Sequence, residues 1–151
     1  MKAFDLMYGG DIYVTGKRRG LGKALSKFYD TVDNIEDCDI FINCKHDGFS
    51  QVELLYKAAE MGKRIINIGS NSPDGIKSQP HQYAVEKAAL DKANEQLFYQ
   101  GVDTTVVRFG YFDSARVEHI TAPKMSLKDC VDVIDWIIKQ PNRVKDITIC
   151  K

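Results

Sequence analysis

Two short stretches carry residue types and spacings that can do chemistry. Tyr83-Ala-Val-Glu-Lys87 sets a phenol and an amine four positions apart. On a helix such residues share a face, and a neighbouring cation favours the phenolate. Ser70 lies thirteen residues upstream of Tyr83, a hydroxyl suited to bonding a substrate oxygen. The other stretch, Ile12-Tyr-Val-Thr-Gly-Lys-Arg-Arg-Gly-Leu-Gly22, is a β-branched run ending in T-G-x-x-x-G-x-G. A glycine turn between strand and helix lets backbone approach a pyrophosphate, and the helix N-terminus then faces the negative charge. Phosphate binding and proton transfer in one chain, in this order, point to a nucleotide-dependent oxidoreductase.

Each residue also has a plainer reading. Glycines make turns without any ligand. Ser70 heads Ser70-Asn-Ser-Pro-Asp-Gly75, a run of turn formers in which a serine needs no further role. Lys17, Arg18 and Arg19 read either as contacts for a cofactor phosphate, including a 2′-phosphate, or as a solvated basic loop. The conjunction of the features favours the chemical reading.

The elements that must position these residues follow from periodicity. Apolar runs predict strands at Ile12–Thr15, Asp39–Cys44, Arg64–Gly69, Thr104–Phe109 and Asp146–Cys150. Between them lie four helical patterns. Leu21, Ala24, Leu25 and Phe28 form the apolar stripe of the first. The second runs from about Phe49 to Met61, with Gly62 as its stop. The third follows Pro80 and ends near Gly101. The fourth opens at Ser126, with Asp129 in capping-box position, and ends before Pro141. Strands alternating with helices predict an α/β, Rossmann-like, doubly wound parallel sheet of about five strands. With 151 residues, the chain is expected to be one nucleotide-binding domain.

The connection Asp30-Thr-Val-Asp-Asn-Ile-Glu-Asp-Cys-Asp39 is too short for another strand–helix–strand excursion. In a dinucleotide fold that excursion builds the adenine side. Most of that half is therefore expected to be missing, or reduced to a few extended residues around Thr31–Ile35. If every strand were added in one direction by right-handed crossovers, all helices would share one sheet face. Either one crossover is exceptional, or a remnant strand lies beyond the first strand, or a partner subunit covers the bare face.

Composition narrows the partners. Formal net charge is zero, which provides no global attraction to nucleic acid or to an anionic membrane. No apolar run reaches spanning length, and Met1-Lys-Ala-Phe-Asp-Leu-Met7 lacks a signal-peptide core. Cys38, Cys44, Cys130 and Cys150 show no C-x-x-C spacing. Reduced thiols in a cytoplasmic protein, with no metal site, are expected.

As a set, the motifs resemble those of the short-chain dehydrogenase/reductase family. Thr15-Gly-Lys-Arg-Arg-Gly-Leu-Gly22 matches T-G-x-x-x-G-x-G, and Asp39-Ile-Phe-Ile-Asn43 resembles the strand ending in N-N-A-G, with Asn43 at the first Asn. Ile65-Ile-Asn-Ile-Gly-Ser70 resembles the strand that delivers the catalytic serine, and Tyr83-Ala-Val-Glu-Lys87 matches the active-site motif. Phe109-Gly-Tyr-Phe-Asp-Ser114 resembles the P-G-x-x-x-T segment beside the nicotinamide, with Phe109 in place of proline. The resemblance departs in three places. The acidic ribose-binding residue of the second family strand has no counterpart. The Phe49–Met61 helix contains no Asn to match the family's catalytic one. The substrate-covering insertion is brief, only Ala115–Lys124.

The resemblance implies a catalytic set of Ser70, Tyr83 and Lys87. It implies cofactor contacts at Thr15, Gly16, Arg18, Arg19, Gly20, Leu21, Gly22, Asn43, Gly110 and Ser114. Hydride would pass between NADP(H), or NAD(H), and a small-molecule carbonyl or alcohol. A basic Arg19 with no strand-two acid favours NADP(H). The alternative is a non-enzymatic nucleotide-binding or sensor protein on a truncated dehydrogenase scaffold; related scaffolds also support epimerase chemistry. Family members commonly pair two helices across a two-fold axis, which implies a homodimer or homotetramer through residues 49–61 and 83–100.

Overall fold

The computed structural model describes residues 10–71, 80–114 and 117–151. Among the described residues five strands and four α-helices alternate: β1 Ile12–Val14, α1 Gly20–Phe28, β2 Ile40–Asn43, α2 Ser50–Glu60, β3 Arg64–Ser70, α3 Gln82–Tyr99, β4 Thr104–Phe109, α4 Leu127–Lys139 and β5 Asp146–Ile149. A single 3-10 turn, Ile35–Asp37, precedes β2. The strands form one parallel sheet in the order β1-β2-β3-β4-β5. This is the expected α/β Rossmann-like architecture, with strand limits one residue shorter at several ends.

Side chains alternate across the sheet and meet a different helix pair on each face. Ile12, Val14, Ile40, Ile42, Ile66, Ile68, Val107 and Phe109 pack with Leu21 and Leu25 of α1 and with Ile134, Ile137 and Ile138 of α4. On the other face Phe41, Ile65 and Val106 pack with Leu55 and Ala58 of α2 and with Leu90, Ala93 and Leu97 of α3. Both faces are covered, which is why the central strands read as continuous apolar runs.

The topological alternatives resolve into two of the three. Ile12 forms an isolated parallel bridge with Thr31, and Val32 N–H donates to the Ile12 carbonyl at 2.9 Å. The carbonyl of Asp11, one residue earlier, instead accepts from Asp39 and Ile40 on the β2 side. Backbone groups alternate edges along a strand, so Thr31–Val32 lies on the far edge of β1. It is a remnant strand. Leaving β1 in that direction puts α1 on its face with the same hand as the α2 and α3 crossovers. The β4-α4-β5 crossover, on the α1 face but travelling the opposite way, has the other hand.

Local chemistry fixes the helix ends. Ser126 Oγ accepts from Asp129 N–H at 3.0 Å and caps α4 as expected. The Arg64 fork donates to the Ile137 and Ile138 carbonyls, both at 2.7 Å, and so caps the C-terminus of α4 from β3. One expected core residue fails. Phe28 is half exposed, because α1 stops there and the next residue turns inward in its place. Tyr29 is buried and its hydroxyl donates to Asp135 Oδ1 at 2.7 Å, tying α1 to α4.

Candidate active site

The glycine loop lies between β1 and α1, at the C-terminal edge of the sheet. A Cβ on Gly22 would collide with the carbonyls of Gly16 and Thr15, so only glycine lets α1 start this close to the turn. Thr15 Oγ1 accepts from Cys44 and Lys45 N–H at 2.9 and 3.0 Å, stitching this turn to the loop after β2. Gly20 has φ +61° and an added Cβ there meets nothing within 4 Å. The N-cap, Arg19, makes no capping bond, and the first turn of α1 holds no acidic residue. The helix thus presents uncapped N–H groups to open space, an arrangement that suits an anion. Leu21 turns into the core, so only its backbone can contribute.

The three basic residues of this loop divide. Arg18 and Arg19 are exposed. Lys17 turns back, donating to Thr31 Oγ1 and to the Val32 carbonyl, each at 3.0 Å, with Asp33 at 3.9 Å. Of the two readings left open for the loop, Lys17 follows neither: it fastens the loop to the remnant strand.

Ser70 ends β3, opposite Phe109 of β4, and is 7% exposed. Gly110 follows directly on Phe109, and its N–H donates to the Ile149 carbonyl at 2.9 Å. Ser114 lies half-buried in the segment beyond, where its carbonyl accepts from Val117. The turn residues after Asn71, and Ala115 with Arg116, lie outside the described residues.

The first turns of α3 bring Tyr83 and Lys87 together. The Lys87 amine is 5.6 Å from the Tyr83 ring centroid, over its face. Lys87 is 2% exposed. Its Nζ donates to Gln51 Oε1 at 2.8 Å and to the Ile68 carbonyl at 2.9 Å, two residues before Ser70. A buried ammonium needs such acceptors. Gln51 stands on α2, the helix in which the family's Asn has no match. Its Nε2 donates to the carbonyls of Asn43 and Ile68, at 2.9 and 3.0 Å.

Asn43 belongs to this same buried network. It is fully buried, and its Nδ2 donates to the Gln51 carbonyl at 2.8 Å and to Asn67 Oδ1 at 2.9 Å. Asn67 continues through Asn94 and Thr104. A chain of amides therefore runs under the site between sheet and helices. Sequence reasoning missed Gln51, Asn67 and Asn94; the signal for Asn67 was an amide within an otherwise apolar strand.

Beyond Asn43 the family motif reads Asn-Ala-Gly where this chain has Cys44-Lys45-His46. Burial pushes the Cys44 thiol up to about 12, which leaves it protonated and inert as a nucleophile. The His46 ring packs edge-on against Tyr83, with centroids 4.7 Å apart, and its Nε2 lies 3.0 Å from Glu86 Oε1. Neither residue was among the expected site residues.

Among the described residues no cluster of three His, Cys, Asp or Glu side chains could hold a metal, and no helix is long and apolar enough to cross a membrane. No protein-family model matches the chain, and neither does any curated protein. Solved structures do. A short-chain dehydrogenase from Burkholderia cenocepacia J2315, in complex with NADP, is 16% identical, with 95% of this chain and 89% of that one covered at a TM-score of 0.71. A 4-hydroxyisoleucine dehydrogenase mutant complexed with NADH and succinate is 15% identical over 92% of this chain and 96% of that one, TM-score 0.71. An alcohol dehydrogenase from the archaeon Thermococcus sibiricus, complexed with 5-hydroxy-NADP, is 14% identical over 92% and 95%, TM-score 0.69. The chain thus has the fold of the short-chain dehydrogenases/reductases, the family its motifs resemble.

Proposed function

We propose that this protein is an oxidoreductase that passes a hydride between NADP(H) and a small carbonyl or alcohol compound. The observation that carries the reading is the buried Lys87 amine held over the Tyr83 ring, two residues along β3 from Ser70. An ammonium fully enclosed by protein costs desolvation free energy, and a phenol beside it is a group for moving a proton at the sheet edge where ligands of parallel sheets bind. The glycine loop opens on that same edge.

The residues present fit a nicotinamide dinucleotide on its phosphate side. The open space at Gly20, the uncapped start of α1 and the exposed Arg18 and Arg19 suit a pyrophosphate and a further phosphate. When bound, the cofactor supplies or accepts the hydride. Tyr83 donates its phenolic proton to the carbonyl oxygen in reduction and takes it back in oxidation. Lys87 stabilises the phenolate left behind. Ser70 orients the substrate oxygen and stabilises charge developing on it. Dehydrogenases of the same fold that bind NADP or NADH support this reading, and the basic loop favours the phosphorylated cofactor.

One observation favours the second reading, a nucleotide-binding sensor without turnover. The adenine side is reduced to the Thr31 bridge, and Lys17 is engaged there rather than at a ligand. Titration with NADPH and NADH, followed by a panel of aldehydes, ketones and alcohols, separates the two. Cofactor binding with turnover that is lost in Tyr83→Phe supports the oxidoreductase. Binding with no turnover supports the sensor.

A further inference from the structure

We infer that His46, held by Glu86, fixes the ring of Tyr83 in its working position. His46 is thus a positioning residue for the proposed proton transfer, which rests on the oxidoreductase reading above.

Tyr83 lies where a helix holds its residues least firmly. It is in the first turn of α3. The N-cap, His81, makes no side-chain capping bond, and the first turn has no acidic residue to meet the helix dipole. Ala84 and Val85 N–H donate to the His81 carbonyl at 3.0 and 3.3 Å. A helix end fixed by so little opens readily unless tertiary contacts tie it down.

The loop after β2 supplies that tie. The His46 and Tyr83 rings meet edge to face, with centroids 4.7 Å apart and 62° between planes, within the range aromatic pairs favour. The His81 ring lies 5.9 Å from the same phenol, and the Lys87 amine 5.6 Å from its centroid. Two imidazoles and an ammonium therefore border the ring.

His46 is itself held. Its Nε2 is 3.0 Å from Glu86 Oε1, with only 16% of the histidine and 8% of the glutamate side chain exposed. Gln82 Nε2 donates to the second Glu86 oxygen at 3.3 Å. A Cβ on Gly48 would stand 3.7 Å from that same oxygen, so the loop backbone runs beside the carboxylate. Glu86 is three positions after Tyr83 and four after Gln82, neighbours on the helix surface. The group that grips the imidazole and the phenol that the imidazole packs against thus share one stretch of α3. A pair that only pinned the loop would need no contact with Tyr83. The glycine of the family motif at this place would leave the phenol without this neighbour.

Placement of a reacting group acts on rate more than on binding. A displacement of about 1 Å can cost about 10²-fold. The cofactor's phosphates, by contrast, are assigned to the glycine loop.

Three variants test the inference in steady-state assays with NADPH. Glu86→Leu with His46→Phe keeps a ring against Tyr83 and exchanges the ionic pair for an apolar one, which buried pairs commonly tolerate. Glu86→Leu with His46→Ala removes the ring and likewise leaves no unpaired charge. The alanine pair should lower kcat about 10²-fold, with KM and the NADPH dissociation constant unchanged, and the phenylalanine pair should recover most of that rate. His46→Gln keeps a donor for Glu86 and removes only the ring; it should show the same loss, and it decides the point if the alanine pair does not fold. Without turnover, amide hydrogen exchange at Ala84 and Val85 should be faster in the alanine pair than in the phenylalanine pair. Equal kcat in the two pairs, a loss that falls on KM rather than kcat, an unchanged kcat in His46→Gln, or equal exchange each overturns the positioning role. Wild-type turnover that Tyr83→Phe abolishes leaves the oxidoreductase reading standing whatever the His46 variants do. A wild type that turns over nothing defeats that reading, and the positioning role falls with it.

Discussion

Gln51 holds the amine of Lys87, with Oε1 accepting from Nζ at 2.8 Å, across 36 positions of sequence. The same amide donates to the carbonyls of Asn43 and Ile68, so one side chain ties together β2, β3, α2 and α3. Gln51→Leu keeps the volume and removes every polar partner. The buried ammonium loses an acceptor and two backbone carbonyls lose a donor. Orphaned buried groups cost about 1–3 kcal/mol each, and charged ones more, so a loss of roughly 3 kcal/mol in urea-unfolding free energy is expected, together with weaker cofactor binding. Gln51→Glu keeps an acceptor for the amine and should fall between.

The Tyr83–Lys87 pair separates chemistry from binding. Tyr83→Phe removes only the phenolic hydroxyl and should abolish most turnover while leaving the NADPH dissociation constant within about two-fold. Lys87→Ala should impair both, because on the proposed reading its amine supports the phenolate and contacts the cofactor. Full activity in Tyr83→Phe would remove the catalytic assignment.

The pattern of what could be read from sequence follows the range of the interactions. Strands were legible because parallel strands buried on both faces are runs of Ile, Val and Phe. The α4 start was legible because Ser126 and Asp129 are three residues apart. Tyr83 and Lys87 were legible because a single helical turn joins them. The remnant strand at Thr31 was one of the alternatives that the shortness of residues 30–39 left open. The contacts that complete the site are different. Gln51–Lys87, Asn43–Asn67 and His46–Glu86 bridge 36, 24 and 40 positions, and no local rule selects one polar residue over its neighbours at that distance. Lys17 shows the converse: its place in the glycine loop left a phosphate contact and a solvated side chain open, and a tertiary partner, Thr31, took it.

Cofactor preference now rests on Arg18 and Arg19. Both are exposed at the open start of α1. NADPH should bind more tightly than NADH by calorimetric titration, and both weakly for a dinucleotide site, since the adenine side is reduced. Replacing both arginines with alanine should weaken NADPH about ten-fold, roughly 1.4 kcal/mol, with little effect on NADH. Equal affinities in the wild type would remove the argument from the basic loop.

Two desolvated thiols, Cys44 partly buried and Cys130 buried, set an alkaline limit on stability. Burial raises Cys44 and Cys130 each to about 12, with nearby Asp129 adding to the effect on Cys130. An unfolded thiol ionises near its ordinary value of 9.0. Between pH 9 and 12 the folded state therefore holds protons that the unfolded state has lost, and stability falls as pH rises. The contribution is fully present below pH 9. Denaturation midpoints measured under reducing conditions should decline from about pH 9 upward, and Cys44→Ala with Cys130→Ala should flatten that decline. A midpoint that stays constant to pH 11 in the wild type would contradict it.

The outer surfaces of α2 and α3 carry the expectation about assembly. Leu55, Ala58, Leu90 and Ala93 are buried against the sheet, which accounts for one apolar stripe on each helix. The structure leaves others uncovered. Tyr56 is 43% exposed, Val85 59% and Tyr99 72%, although Lys145 lies over the Tyr99 ring. Val85 and Tyr99 are fourteen positions apart, close to four helical turns, so they share one side of α3. Packing this face on its own copy across a two-fold axis would cover both helices at once and add no new surface, as an isologous contact does. A homodimer, or a dimer of dimers, built on residues 49–61 and 83–100 is therefore expected at micromolar concentration. Val85→Glu and Tyr99→Glu, both at exposed positions, should yield folded monomers with a wild-type circular dichroism spectrum. Light scattering that finds the wild type monomeric would defeat the expectation and leave Val85 and Tyr99 as isolated surface apolar residues, which soluble proteins tolerate.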